Sequence, residues 1–259
     1  MPVIPEYDLR VDWNRRFARE WPFFERLFRE RGVKSILDCA CGTGRHAVLF
    51  AEKGFRVAGS DIDTAMVRAS RALARSRGFD IPFRAAAFDR LPRTFPIGFF
   101  DAVVCVGNSL SQLESRTAFR RALGSIAAMI RPGGIAVLHL LNSAALRRGE
   151  MAPQPLRTAE RGGRKYFFQK IFFRRGNGVE VVHLTIREKK RGFESEVYLG
   201  KLLAIPPGDF LGAARAAGLG CRKVFGDYAG APFVAKTSRD LILVAVRTQI
   251  IHGNGNFHE

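Results

Sequence analysis

The chain has 259 residues, 47% of them hydrophobic, which allows one substantial core with material left for a smaller unit. No stretch reaches the roughly 20 apolar residues that span a bilayer, and the first eight residues resemble no leader, so a cytoplasmic protein without a membrane segment is expected. The net charge of +18 invites a nucleic-acid partner, but the arginines are scattered and form no platform with aromatics; a compositional bias is favoured, with attraction to acidic ligands retained.

Along the chain, Trp13, Phe17, Trp21, Phe24, Leu27 and Phe28 recur at helical spacing. Pro22 suits a first helical turn better than an interior, so two short helices are predicted before Gly32. Strand and helix then alternate. Strands are expected at 35–39, 55–60, 83–88, 99–106 and after Arg131-Pro132-Gly133-Gly134, with helices between them. Such alternation specifies a parallel sheet with helices on both faces. After Asn142 the pattern changes: 165–173, 179–187 and 193–205 read as three longer strands joined by short turns, hence antiparallel. A helix at 207–217 and strands at 221–227 and 240–246 close the chain, leaving 248–259 as a loosely ordered tail. The four cysteines lack disulfide or zinc spacing and read as structural, so no metal site is expected.

The turn Asp38-Cys39-Ala40-Cys41-Gly42-Thr43-Gly44 follows the first strand, where an open α/β sheet binds ligands. Glycines admit a ligand close to the backbone, and the helix beyond offers free N–H groups. Asp38 is placed for a cationic amino group. Asp61, about 20 residues on, can accept both hydroxyls of a ribose, and Asp63 is expected to cap the next helix. Phe88 suits either an adenine face or the core. Gly42-Thr43-Gly44-Arg45-His46-Ala47 also fits the dinucleotide pattern, but Asp38 would repel a pyrophosphate, and no second catalytic domain is evident.

Ile36-Leu37-Asp38-Cys39-Ala40-Cys41-Gly42-Thr43-Gly44 resembles motif I of class I S-adenosylmethionine (SAM)-dependent methyltransferases. Val57-Ala58-Gly59-Ser60-Asp61 is similar to the second-strand motif, and Arg131-Pro132-Gly133-Gly134 to the turn before strand five. Within the class, Phe100 to Leu110, Asp12-Trp13-Asn14-Arg15-Arg16 and Gly226-Asp227-Tyr228 resemble segments of glycine and glycine/sarcosine N-methyltransferases and their small-molecule relatives. The resemblance implies a cofactor site of Trp13, Arg16, Asp38, Ala40, Gly42, Gly44, Asp61, Ile62, Phe88 and Val106. Three departures stand out. Leu141 occupies the place of the arginine that holds a substrate carboxylate, which weighs against glycine as substrate. Ala87 stands where relatives place an acidic or amide residue for adenine, and Ala40 replaces the first glycine of the turn.

The expected architecture is a Rossmann-like, doubly wound, seven-stranded α/β sheet. It comprises a helical cover (1–32), a SAM-binding domain (33–142 and 206–247), an antiparallel β insert as substrate lid (143–205) and a tail (248–259). The expected function is methyl transfer from SAM to a nitrogen or oxygen of a small molecule, with Asn108, His139 and Tyr228 as catalytic candidates. Asn108 follows strand four in the segment that the resemblance implies contacts substrate, and His139 also reads as a core or supporting histidine. His183 and Tyr198 are weaker candidates from the insert. A homo-oligomer is compatible with this reading. The alternatives are an RNA or tRNA methyltransferase and a non-catalytic SAM-binding regulatory protein.

Overall fold

A computed structural model describes residues 4–248. A short helix α1 (Ile4–Tyr7) and one helical turn precede α2 (Trp13–Glu30). Then come β1 (Ser35–Cys39), α3 (Arg45–Glu52), β2 (Arg56–Asp61), α4 (Thr64–Ser76), β3 (Phe83–Ala85), α5 (Leu91–Thr94), β4 (Phe100–Cys105), α6 (Arg116–Met129) and β5 (Ile130–Leu141). The second half contains β6 (Met151–Pro153), β7 (Arg157–Arg161), β8 (Arg164–Arg175), β9 (Gly178–Glu188), β10 (Phe193–Leu203), α7 (Pro207–Ala216), β11 (Leu219–Phe225) and β12 (Asp240–Arg247).

Seven strands make the main sheet in the order β11-β12-β5-β4-β1-β2-β3. β1 to β5 run parallel, and β12 is antiparallel to both of its neighbours. Central strands such as Ile36-Leu37 and Val103-Val104 are wholly buried, because helices cover both faces. Phe24, Phe28 and Phe50 from α2 and α3 pack on one face, and Phe119, Leu123 and Phe210 from α6 and α7 on the other. The order reverses between β1 and β4, so the crevice beyond those two strands is the natural ligand site. At the opposite ends of these strands Asp101, near the start of β4, ties β4 to β1 and β5. It accepts the Lys34 and Ser35 N–H groups at 2.9 and 2.8 Å and the Arg131 guanidinium at 2.5 Å.

A second sheet follows β5, in the order β10-β9-β8-β6 with β7 also paired to β8, and all of these pairings are antiparallel.

Three expectations need correction. The predicted pair of helices is one helix, α2, with Pro22 inside it. Pro22 deprives the Ala18 carbonyl of a donor, but Glu20 before it and Phe23, Phe24 and Phe28 after it are buried, and packing outweighs the local break. The strand expected over 83–88 ends at Ala85, because Phe88 to Arg90 turn into a tight helical turn. β6 and β7 were not anticipated; at three and five residues they carry too few alternations to read. The expected tail lies, after Thr248, outside the described residues.

Candidate functional site

The turn after β1 has Ala40, Gly42 and Gly44 at φ +53°, +56° and +79°. Left-handed conformations at alternate positions curl the backbone tightly, and the Cys41, Gly42 and Gly44 N–H groups donate to the Ser60 carbonyl, Asp61 and the Cys41 carbonyl. Gly44 has no room for anything else: a Cβ there would sit 2.7 Å from Ser70 Cβ on α4.

Asp38, at the foot of this turn, is 2% exposed. The Ala47 N–H hydrogen-bonds to its carboxylate, whose Oδ2 has no partner. Burial, with the nearby Asp61 charge, pushes its carboxyl up to about 8. A buried carboxylate oxygen with no donor is costly and marks where a cationic group belongs. Asp61 accepts the Gly42 N–H at 2.8 Å and the Asp63 N–H at 2.9 Å, which fixes its carboxylate at the rim of the turn. Asp63 caps α4 by accepting the Ala65 N–H at 2.7 Å.

The beginning of the chain closes over the turn, where a helical cover was expected, but the contacts of Tyr7 and Asp8 were not anticipated from the sequence. Tyr7 lies over Gly42, where an added Cβ would meet its Oη at 3.5 Å, and burial raises its phenol above the usual value. Asp8 accepts Thr43 Oγ1 at 2.7 Å and Arg45 Nη2 at 2.8 Å. Trp13 packs edge-on to His46, with the Arg16 and Arg45 guanidiniums over its ring and its indole N–H buried without a partner.

Behind Trp13, Glu20 is buried between Arg16 Nε at 2.9 Å and His46 Nε2 at 2.7 Å. Burial alone would raise the Glu20 carboxyl, but the His46 hydrogen bond and the Arg16 charge hold it down at about 2. Burial lowers His46, so the imidazole is neutral and donates from Nε2. The sequence signal for this group was Arg16 and Glu20 at i, i+4 on a helix.

Of the remaining residues named from sequence, Val106 is buried at the end of β4, while Ile62 is 72% exposed beside Asp61. Phe88 is half-buried and packs against the hydrophobic core on the α6 side. Asn108 follows β4 at φ +73°, with its Oδ1 buried and unpartnered. Asparagine tolerates the left-handed region, and its buried acceptor without a partner marks a place for a donor. Since β1 and β4 are neighbours, Asp38 and Asn108 flank one crevice.

His139 is 8% exposed, with Nδ1 3.2 Å from Tyr228 Oη and Nε2 3.2 Å from Asp240 Oδ1. Burial raises the Tyr228 phenol well above its ordinary value. Nδ1 thus meets the Tyr228 hydroxyl, Nε2 lies beside Asp240 without hydrogen-bond geometry, and Tyr228 is packed against Phe23 and Phe24. Asp240, at the start of β12, was not singled out from sequence.

The insert sheet turns one face toward the turn and the chain's beginning. Arg10 Nη2 donates to Thr185 Oγ1 at 2.9 Å, and Lys170 lies opposite His183 in the β8–β9 register. Burial and the Arg239 and Arg16 charges hold the Lys170 ammonium down at about 8. Burial, Lys170 and Arg10 depress His183 to about 4. No acidic side chain pairs with Lys170 among the described residues. This inward cationic group was not anticipated, because one lysine in an apolar strand gives no signal until the register sets it opposite a histidine.

Among the described residues no helix is long and apolar enough to cross a membrane, and no cluster of ligating side chains could hold a metal ion.

Residues 36–134 match the family described as "Methyltransferase domain". A glycine/sarcosine N-methyltransferase of Parasynechococcus marenigrum (strain WH8102) is 37% identical over 147 residues, 56% of this chain and 51% of that protein. Rattus norvegicus glycine N-methyltransferase is 34% identical over 122 residues, 43% of this chain and 42% of that protein. The chain thus spans about half the length of the curated relatives it matches. Among solved structures, a sugar N-methyltransferase from Streptoalloteichus sp superposes with TM-score 0.72 at 26% identity, covering 90% of this chain and 88% of that one. An amino pentose methyltransferase from Micromonospora echinaspora shares the fold with TM-score 0.74 at 24% identity, covering 94% and 95%.

Proposed function

We propose, from a chain that carries a class I SAM-dependent methyltransferase domain, that it methylates an amine nitrogen of a small molecule bearing an anionic group. The observation that carries the reading is a pair of buried oxygens without donors, Asp38 Oδ2 and Asn108 Oδ1, at the carboxyl ends of the neighbouring strands β1 and β4. One suits the cofactor's ammonium and the other an acceptor N–H.

The donor set fits SAM. Asp38 meets a cation, Arg16 and the first turn of α3 meet a carboxylate, and Asp61 meets ribose hydroxyls. When bound, SAM supplies an electrophilic sulfonium methyl, so the protein's task is to hold a nucleophile in line and exclude water. Asn108 takes one N–H of a neutral amine and so turns the nitrogen lone pair toward the cofactor. Tyr7, Trp13 and the inner face of the insert keep water from the crevice, which gives the insert its role as a lid. Tyr228 and Asp240 hold the His139 ring between them at the end of β5, so His139 and Tyr228 serve in shaping the floor of the acceptor pocket.

Lys170 faces that pocket without an acidic side chain paired to it, which supports an acceptor with a carboxylate or phosphate placed away from its amine. This replaces the recognition that Leu141 removes and keeps glycine out. The likeness to a sugar N-methyltransferase and an amino pentose methyltransferase makes an amino sugar the first acceptor class to try. We assign the reaction to the cytoplasm, whose reducing conditions suit the free thiols of Cys39, Cys41, Cys105 and Cys221.

The test is methyl transfer from labelled SAM into a panel of aminated small molecules with and without acidic groups, read by mass spectrometry. Transfer to acidic amines, with Lys170→Ala raising their KM at least tenfold and leaving SAM affinity unchanged, is expected. Label entering RNA and no small molecule would overturn the reading. So would SAM binding with no transfer to any acceptor.

A further inference from the structure

The main sheet ends at β3, where a cleft of about 360 Å³ lies against the second half of α4 and shares no lining residue with the cofactor turn. Arg71 and Arg75, one turn apart on α4, and Arg84 on β3 line it, with Phe79, Asp80 and Pro82 from the segment between those elements. All three arginines are exposed. Arg71 Nη2 donates to the Phe83 carbonyl at 2.6 Å, and Arg84 Nη1 donates to the same oxygen at 3.3 Å. Two guanidiniums from different elements thus stand side by side on one acceptor. That contact engages one of the five N–H donors that each carries. Nearby Arg77 has a carboxylate partner, Glu52 at 3.2 Å. Among the described residues no ion pair holds Arg71, Arg75 or Arg84, and Asp80 on the same rim pairs with none of them.

We propose that this cleft is an effector site for a small phosphate monoester, and that an ester bound there tightens SAM binding. Charge selects the head of the ligand. Three guanidiniums against the carboxylate of Asp80 leave an excess of positive charge, which a phosphate monoester, at about −1.5 to −2 near pH 7, neutralises. Guanidinium forks take phosphate oxygens in pairs, and forks that already converge need little rearrangement to do so. Size selects the body. The cleft stands at the lower end of the roughly 300–1,000 Å³ of small-molecule sites, which suits a phosphorylated sugar resting on Phe79 and Pro82.

The effect on the cofactor follows from what α4 and β3 both touch. A Cβ at Gly44 would lie 2.7 Å from Ser70 Cβ on α4 and 3.1 Å from Phe83 Cζ on β3, so these two side chains wall the glycine turn. Ser70 precedes Arg71 in the chain, and Phe83 supplies the carbonyl that Arg71 and Arg84 share. An anion held by Arg71 and Arg75 on one element and Arg84 on the other pins α4 to β3. It thereby steadies Ser70 and Phe83 against Gly44. A turn already steadied loses less freedom when SAM binds, and by linkage SAM must tighten the ester by the same factor. The proposal is independent of which acceptor is methylated.

Calorimetric titration of the full-length protein tests this, with ribose 5-phosphate as the probe because it has no amine to methylate. Saturable binding is expected, at least tenfold tighter than for inorganic phosphate and absent for ribose. Saturating ester should lower the SAM Kd about fivefold. Arg75→Gln/Arg84→Gln should weaken the ester at least tenfold and abolish its effect on SAM, with circular dichroism unchanged, because both side chains are exposed. Arg120→Gln/Arg121→Gln, on α6, removes the same charge elsewhere and should alter neither quantity. The proposal is overturned by an absence of saturable binding, by an equal loss in both double variants, or by a SAM Kd indifferent to bound ester. Inorganic phosphate binding as tightly as the ester overturns it too. So does single-stranded RNA that displaces the ester with higher affinity, since the arginines would then belong to a nucleic-acid surface.

Discussion

Asp38 carries its carboxyl where charge is penalised: burial and Asp61 push it up to about 8, against about 3.9 for a free aspartate. The folded protein therefore holds a proton there that the unfolded chain releases. Stability from this group is complete below about pH 4 and is lost as pH rises toward 8. A cation beside Oδ2 reverses the preference, so binding SAM should expel the proton. SAM affinity should then rise from pH 5.5 to 7.5, which calorimetry in buffers of different ionisation enthalpy would read as proton release. Asp38→Asn should weaken SAM by about 1.5–3 kcal/mol at pH 7.5 and flatten the slope; an unaltered slope would remove the cation from this position. Asp61 has two tasks, since it holds the Gly42 N–H as well as facing the ribose site. Asp61→Ala should cost about 1–3 kcal/mol of SAM binding by equilibrium dialysis, and unchanged affinity would contradict the ribose contact.

At the scale of elements, the cofactor turn is held between α2, α3 and α4 by contacts with little tolerance. Gly44 combines φ +79° with a hypothetical Cβ 2.7 Å from Ser70 Cβ, so Gly44→Ala must either shift α4 or distort the turn. Loss of SAM binding together with a fall of about 2–3 kcal/mol in stability is expected, from backbone strain plus overpacking. Glu20 fastens α2 to α3 through His46, and its carboxyl lies at about 2 rather than near 4.5. That depression contributes stability above about pH 4.5, which disappears as pH falls toward 2. Glu20→Gln should lower stability at pH 7 by about 2 kcal/mol and shrink the acid limb of a urea-midpoint profile against pH. An acid limb of unchanged size would show that the pair is structurally idle. These cases also show what the sequence could reveal. The turn and Asp61 were legible because their chemistry is written in consecutive residues at a spacing fixed by one βαβ unit. Pro22 misled because local propensity was overridden by burial on both sides of it. Tyr7, Lys170 and Asp240 were illegible because each gains meaning only from a partner distant in sequence.

Across the whole molecule, residues 6 to 12 act as a strap between the two sheets. Glu6 binds Arg187 of β9 at 2.6 Å, Arg10 reaches Thr185 on the same strand, and Asp12 lies 3.3 Å from Arg157 of β7. Between those anchors, Asp8 grips Thr43 and Arg45 beside the cofactor turn. The bonds that shape the cofactor seat and those that hold the insert over it thus share one short segment. Coupling of this kind is a free energy between two places, and it must act in both directions. A ligand that orders the turn should steady the strap and, through Arg10 and Glu6, the inner face of β9. Amide exchange is the direct measurement: adding SAM should slow exchange at 183–187 as well as at 40–46. Asp8→Ala leaves Arg45 without its carboxylate and removes the link in the middle of the strap. It should weaken SAM on the order of tenfold and abolish the SAM-dependent protection of β9, while Glu6–Arg187 keeps the strap attached. Protection of β9 that persists in Asp8→Ala would mean that the two sheets communicate by another route, with the packed face around Phe168 and Arg10 the next place to look.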